Sequence, residues 1–283
     1  MSGAGPWPRW ERVLLGVGLI AALVLGASRL GGPGLWHDEL VHLFAAKRMA
    51  EEGSLAWPNG QVVGSGITYN ACLAAVVFAV GDSETAARMP SVVFHAVAVF
   101  LTYLLLRRLL GRGPALAATF MLALSPWSVA WSRQAKPYAF QEMLYLAFLW
   151  TVLRTVESKA RWQTIRWAVV GIVVYIVAIY ALFHSILFAV GPGIAAFLFA
   201  LREGRWKTRW AGLWLGLVLL CAGTVIVWQL TFSWVESHAV FTGAGLGGKM
   251  EEPGRVDRLF YLRWLWLNLS LGYFLLAMGG FAA

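Results

Sequence analysis

The residues best suited to chemistry fall in two short clusters. Trp36-His37-Asp38-Glu39 sets two carboxylates side by side after an apolar run, and Ser132-Arg133-Gln134-Ala135-Lys136-Pro137-Tyr138 sets two cations between two later runs. An ionised carboxylate can take the proton of an attacking hydroxyl. Successive residues on a helix point about 100° apart, so Asp38 and Glu39 cannot do the same job: one would act as base while the other orients it or holds a polar substrate group. The plainer reading makes both of them first-turn acids, each worth ~0.3–1 kcal/mol at a helix N-terminus. Arg133 and Lys136 precede a helix that Pro137 would open as its first residue. Two cations beside the free N–H groups of a helix start bind phosphate; the plainer alternative is snorkelling to lipid headgroups. Tyr138 adds a hydroxyl or an interfacial ring. His37 and His42 flank the acids and are either substrate contacts or surface residues, and His184 lies in the tight outer turn Tyr180 to Ser185, where it is either a catalytic residue or a headgroup contact. Two adjacent acids without a further Asp, Glu or His at ligand spacing make only a weak divalent-metal site, so no metal ligand and no cofactor are assigned.

The scaffold for these clusters follows from composition. With 59% hydrophobic and 13% charged residues and a mean hydropathy of +0.67, the chain is too apolar for a soluble globule and reads as an integral membrane protein, all-α because helices satisfy their own backbone in lipid. Apolar runs near the roughly 17–25 residues that cross a bilayer are Val13 to Ala27, Ala87 to Leu106, Ala115 to Trp131, Tyr138 to Leu153, Trp167 to Leu182, Ser185 to Leu201, Ala211 to Leu230 and Tyr261 to Gly280. That predicts a polytopic helical bundle of about eight spans. Val13 to Ala27 reads as an uncleaved signal anchor, since more spans follow. Cys72 and Cys221 both sit in apolar stretches and read as free thiols.

Charge sorting orients the bundle. Arg9 and Arg12, then Arg107, Arg108 and Arg112, then Arg154, Lys159, Arg161 and Arg166, then Arg202, Arg205, Lys207 and Arg209 fill alternate connections, with only Glu11, Glu157 and Glu203 among them. Lys and Arg concentrate on the cytoplasmic side, which puts the N-terminus in the cytoplasm and both polar clusters on the outer face, where acid and base share one cavity. The formal net charge of +9 is thus an orientation signal and not a nucleic-acid footprint. Arg-rich, Lys-poor usage and short loops fit a bacterial plasma membrane.

The same sorting keeps Ile67 to Val80 from crossing, because a crossing there would invert every later basic loop; it reads as an interfacial or re-entrant segment. Leu40 to Ala50 reads as an amphipathic helix with Leu40, Leu43 and Phe44 on one side, Lys47, Glu51 and Glu52 towards water, and Gly53 as its stop. The first outer loop, residues 31–86, is therefore structured, and the last, residues 231–260, carries a Gly-rich stretch and His238 that could close over substrate. Ionisable residues within the spans are nearly absent, which weakens proton relays and ion pathways.

Trp36 to Glu39 after the first span, Gly81 to Arg88 before the second, Ser125-Pro126 ahead of Ser132 to Tyr138, and Tyr180 to His184 together resemble the GT-C membrane glycosyltransferases, in the branch of the dolichyl-phosphate-mannose protein mannosyltransferases and the aminoarabinose transferases acting on lipid A. The resemblance implies one membrane-embedded module over residues 1–283, in a family whose relatives continue with further spans. It implies inverting transfer of a sugar from a polyprenyl-phosphate donor to a protein, lipid or glycan acceptor on the outer face. Asp38 would be the base with Glu39 supporting it, and Arg133, Lys136 and Tyr138 would bind the donor phosphate, with His184, His37 and His42 nearby. A flippase or transporter for lipid-linked sugars is the alternative; it would need the cations but not Asp38.

Overall fold

The computed structural model describes residues 7–32, 34–54, 66–202, 212–224 and 226, all within the compact unit Met1–Val235. The expected last outer loop, its His238 and the span Tyr261 to Gly280 lie outside the described residues. Every regular element among them is helical: α1 (Arg9–Ala27), α2 (His37–Glu52), α3 (Ile67–Val80), α4 (Glu84–Leu109), α5 (Arg112–Ala123), α6 (Pro126–Ser132), α7 (Tyr138–Glu157), α8 (Arg161–Ala181), a 3₁₀ stretch (Phe183–Ala189) and α9 (Val190–Arg202), then α10 (Gly212–Thr224).

Three of these helices, α1, α4 and α8, are long and apolar enough to cross a bilayer, and α5 with α6 makes a fourth candidate bent by 57°. The bend falls inside the span expected over Ala115 to Trp131. Its cause is local: Ser125 caps α6 by accepting from the Ser128 N–H, and Pro126 opens it, a pair that ends one helix and starts another. The run Ser185 to Leu201 is likewise broken, into the 3₁₀ stretch and α9. At 20 residues α7 has the length to cross but carries Glu142, Arg154 and Glu157.

Side-chain contacts fix the direction of each helix. Glu11 at the start of α1 meets Arg107 at the end of α4, while Gly26 at the other end of α1 is packed on Val92 and Ser132. Arg108 near the end of α4 reaches Glu157 at the end of α7 over 3.2 Å, and Ser91 near the start of α4 donates to the Lys136 carbonyl just before α7. So α4 and α7 run parallel and α1 runs against them. The basic segments 9–12, 107–112 and 154–161 gather at one end, and both polar motifs at the other.

Packing of α1 explains its sequence. Glu11, Leu15, Gly18, Ala22 and Gly26 form its buried stripe, and small residues let helix backbones approach closely in lipid. A Cβ at Gly26 would sit 2.9 Å from Val92 Cγ1. Val13, Val17, Ile20 and Val24 point outward. The 14-residue α3, about 21 Å long at 1.5 Å per residue, is too short to cross. It packs against α2, α4 and α8, and Thr68 donates to the Val177 carbonyl near the end of α8. The amphipathic helix α2 ends at Gly53, whose φ of 62° lies in the left-handed region. Its buried face is Glu39, Leu43, Ala45 and Ala46, whereas Phe44, expected inward, is exposed.

Glu11 is fully buried. It accepts from Arg107 Nε at 2.6 Å and from the Tyr103 hydroxyl, with Arg112 Nε at 3.5 Å. Removing one partner of a buried ion pair strands the other charge, typically at about 3–5 kcal/mol. Arg107→Met is therefore expected to lower the unfolding midpoint of the detergent-solubilised protein clearly, and Glu11→Leu/Arg107→Met to lower it less. Thermal melts of the two variants check this.

Candidate active site

The site forms where α2, the start of α4 and the turn between α6 and α7 converge. Glu39 is fully buried and Asp38 is 70% exposed at its side chain. The turn of about 100° between neighbouring helical residues sends one carboxylate into the protein and the other to its surface.

Four donors hold the Glu39 carboxylate. Arg88 grips it with two parallel bonds, Nε to Oε1 and Nη2 to Oε2, each 2.9 Å. The backbone N–H of Ala135 donates to Oε1 at 2.7 Å and that of Trp36 to Oε2 at 3.0 Å. Arg88 also donates to the Leu30 carbonyl and, at 3.1 Å, to the Gly34 carbonyl. One ion pair thus ties the connection between α1 and α2, the first turns of α4 and the Arg133 to Pro137 turn. Burial by itself would raise the Glu39 pKa, but the Arg88 hydrogen bonds, the two backbone N–H groups and the Arg88 charge together hold it below the ordinary carboxylate value.

Asp38 faces the second cluster. Lys136 Nζ lies 3.0 Å from its Oδ2, and the same ammonium stands 5.8 Å from the Trp131 ring and 6.0 Å from that of Tyr138, within range of cation–π attraction. The hydrogen bond from Lys136, and then its charge, hold the Asp38 pKa below the usual value, so Asp38 is ionised at neutral pH. Behind Lys136 the turn is braced from below, since the Tyr69 and Ser91 hydroxyls lie 3.1 Å apart and Ser91 donates to the Lys136 carbonyl.

The other expected residues take distinct places. His42 Nδ1 donates to Asn70 Oδ1 over 2.8 Å and its ring meets Tyr69 edge-on. Burial first, and the Lys136 charge second, push its pKa down, which leaves it neutral at pH 7. Gly66 makes room for it: φ there is +78°, and a Cβ would lie 2.9 Å from His42 Cε1. His37 is exposed beside Asp38. Arg133 is the C-cap of α6, with its Nε buried and lacking a hydrogen-bond partner. Pro137, expected as the first residue of α7, is instead its N-cap, and Tyr138 opens the helix. His184 is exposed in the 3₁₀ stretch, next to Ser185, whose hydroxyl accepts from Gln141 on α7. Among the described residues no three His, Cys, Asp or Glu side chains come together as a metal site.

Sequence reasoning missed the part played by Arg88. The signal was available: an arginine in the opening turns of an apolar helix must be paired, and the nearest acids outside its own helix belong to the first outer loop. It also missed His95 on α4 and Glu142 on α7. His95 is fully buried with neither ring nitrogen hydrogen-bonded, and Glu142 Oε2 lies 3.7 Å from its Nδ1.

A sequence profile of the dolichyl-phosphate-mannose-protein mannosyltransferases matches residues 68–228. No curated protein matches the chain significantly. Solved structures share the fold. The Saccharomyces cerevisiae protein O-mannosyltransferase complex bound to the sugar donor aligns with a TM-score of 0.63 at 14% identity, over 82% of this chain and 34% of that one. The oligosaccharyltransferase of Archaeoglobus fulgidus, in complex with an inhibitory peptide and a dolichol-phosphate, aligns at 0.58 and 13% identity, over 75% and 28%. In its apo form it aligns at 0.58 and 12%, over 93% and 38%. The chain therefore spans about a third of the length of these structures, and its fold is of the GT-C type.

Acid should unlock this site in a defined direction. A carboxylate whose pKa is lower folded than unfolded takes up protons preferentially when unfolded. The stability that Glu39 contributes is then complete above its ordinary value of 4.5 and is lost as pH falls through the depressed folded value. Glu39→Gln is expected to reduce stability at neutral pH and to flatten the loss below about pH 4.5, as read from unfolding midpoints across pH.

Proposed function

The chain belongs to the dolichyl-phosphate-mannose-protein mannosyltransferase family, and on that premise we propose that it transfers a sugar from a polyprenyl-phosphate donor to an acceptor, with inversion at the anomeric carbon. The observation that carries this reading is the 3.0 Å contact between Asp38 and Lys136, which puts a solvent-facing carboxylate and an ammonium from separate motifs at one spot.

The chemistry runs as a single displacement. The bond between the anomeric carbon and the phosphate oxygen breaks with its electron pair going to phosphate, while the acceptor nucleophile bonds to the opposite face and gives its proton to Asp38. Such a transition state has oxocarbenium character. Negative charge grows on the leaving phosphate, so Lys136 and Arg133 beside the start of α7 stabilise the transition state more than the bound donor. A sugar ring does not fit in a 3.0 Å gap, so donor entry must separate Lys136 from Asp38, freeing the carboxylate as the ammonium turns to phosphate. Asp38 is the base in this reading; Glu39, with all its acceptor sites used by protein donors, positions Asp38 and the 133–137 turn without touching substrate. Tyr138, His37, His42 and His184 are left as substrate contacts.

We assign the site to the outer face of the plasma membrane, with the N-terminus in the cytoplasm. The gathering of the basic segments at the opposite end of the bundle supports this through the bias of cytoplasmic loops towards Lys and Arg.

Membranes supplied with labelled polyprenyl-phosphate sugars provide the test. General-base catalysis typically contributes 10²–10⁴-fold, so Asp38→Asn at matched protein level is expected to reduce transfer by about that factor while retaining donor binding, and Lys136→Ala to weaken donor binding itself. Undiminished transfer by Asp38→Asn would overturn the base assignment. Donor binding without transfer by the native chain would favour a flippase. Asp82→Cys is expected to react with an impermeant thiol reagent from outside only.

A further inference from the structure

Far from the site just described, α7, α8 and α10 enclose a cavity of about 780 Å³, within the size range of small-ligand pockets. Its wall on α7 runs from Phe148 to Val156, while the Asp38 site lies at the first turn; the ten residues from Tyr138 to Phe148 put its near edge about 15 Å away at 1.5 Å per residue, with its mouth beyond the far end of the helix. None of the residues assigned to sugar transfer lines it.

The cavity has an apolar body and a cationic mouth. Four hydroxyls line it, and each is spent on its own helix: Thr151 donates to the Phe148 carbonyl, Thr155 to that of Thr151, Ser158 to that of Arg154 and Thr164 to that of Ala160. What they leave facing the space is mostly carbon. On the α10 wall Gly212 and Gly216 face open room, for a Cβ on either would meet nothing within 4 Å.

At the mouth stand Lys159 and Arg161, both exposed. The nearby acid Glu157 is already engaged by Arg108 and Arg154, and neither Lys159 nor Arg161 has an acidic partner among the described residues. The N-terminus of α8 opens at this point without a side-chain cap. Unpaired cations and uncapped helix N–H groups over an apolar slot complement a molecule with a phosphate at one end and a hydrocarbon chain at the other.

The geometry points to a binding site for an anionic phospholipid, with its phosphate on Lys159, Arg161 and the α8 N-terminus and an acyl chain between α7, α8 and α10. The site belongs to the leaflet opposite the Asp38 site and is independent of the sugar-transfer reading.

Native mass spectrometry of the full chain in detergent, titrated with phosphatidylglycerol or phosphatidylcholine of matched chains, tests it. Each cation near a headgroup is worth about fivefold in affinity, so phosphatidylglycerol is expected to bind well over tenfold better. Lys159→Ala/Arg161→Ala should abolish that preference while leaving residual binding of both lipids. Gly216→Trp should displace both lipids. Equal binding of the two lipids by the native chain, a preference that survives loss of both cations, or displacement of phosphatidylglycerol by an equimolar amount of a polyprenyl phosphate would each overturn the assignment. The cation variant alone decides the matter should Gly216→Trp fail to fold.

Discussion

The buried pair of Glu39 and Arg88 is the interaction on which the site depends. Neither charge could sit inside alone, because an isolated buried ion is several kcal/mol too costly. Together they are tolerated only because backbone groups complete their hydrogen bonding: Trp36 and Ala135 donate to the carboxylate, and Leu30 and Gly34 accept from the guanidinium. Those backbone groups come from two segments far apart in sequence, residues 30–36 and Ala135. The pair therefore fixes the first turn of α2, which carries Asp38, against the turn that carries Lys136, and the 3.0 Å contact between those two follows from it.

The helix α4 carries a second such pair at its far end, where Arg107 meets Glu11. Both ends of one long helix are thus bolted to the N-terminal region, one through the loop before α2 and one through α1. The two ends serve different surroundings. One presents an exposed carboxylate paired with an ammonium; the other borders basic loops and, beyond α7, a slot with a cationic rim.

Much of this was legible in the residues. Basic loops alternating with polar ones predicted that the Asp38 and Lys136 clusters share an end, and they touch. Gly53 announced the stop of α2, and the sorting of the basic loops, with the 14-residue length of Ile67 to Val80, left that segment out of the expected spans. Less legible was anything set by partners distant in sequence. The apolar run Ala115 to Trp131 hides a break that only the Ser125-Pro126 capping pair betrays. Phe44 looked inward by helical period, but the inward face of α2 is dictated by Glu39, which must reach an arginine 49 residues away. The division between the two adjacent acids could be anticipated from helix geometry; which acid turns inward could not, since the answer lies in Arg88. His95 and Glu142 escaped as well, although an ionisable residue inside an apolar run is itself the sign of a partner.

A structure of the chain with a bound polyprenyl-phosphate sugar addresses the central claim most directly. The account expects the phosphate on Lys136, the ammonium drawn away from Asp38, the Asp38 carboxylate facing the anomeric carbon on the side away from phosphate, and the Glu39–Arg88 bonds unchanged. A donor bound with Asp38 and Lys136 still paired at 3.0 Å, its phosphate held elsewhere, would contradict it.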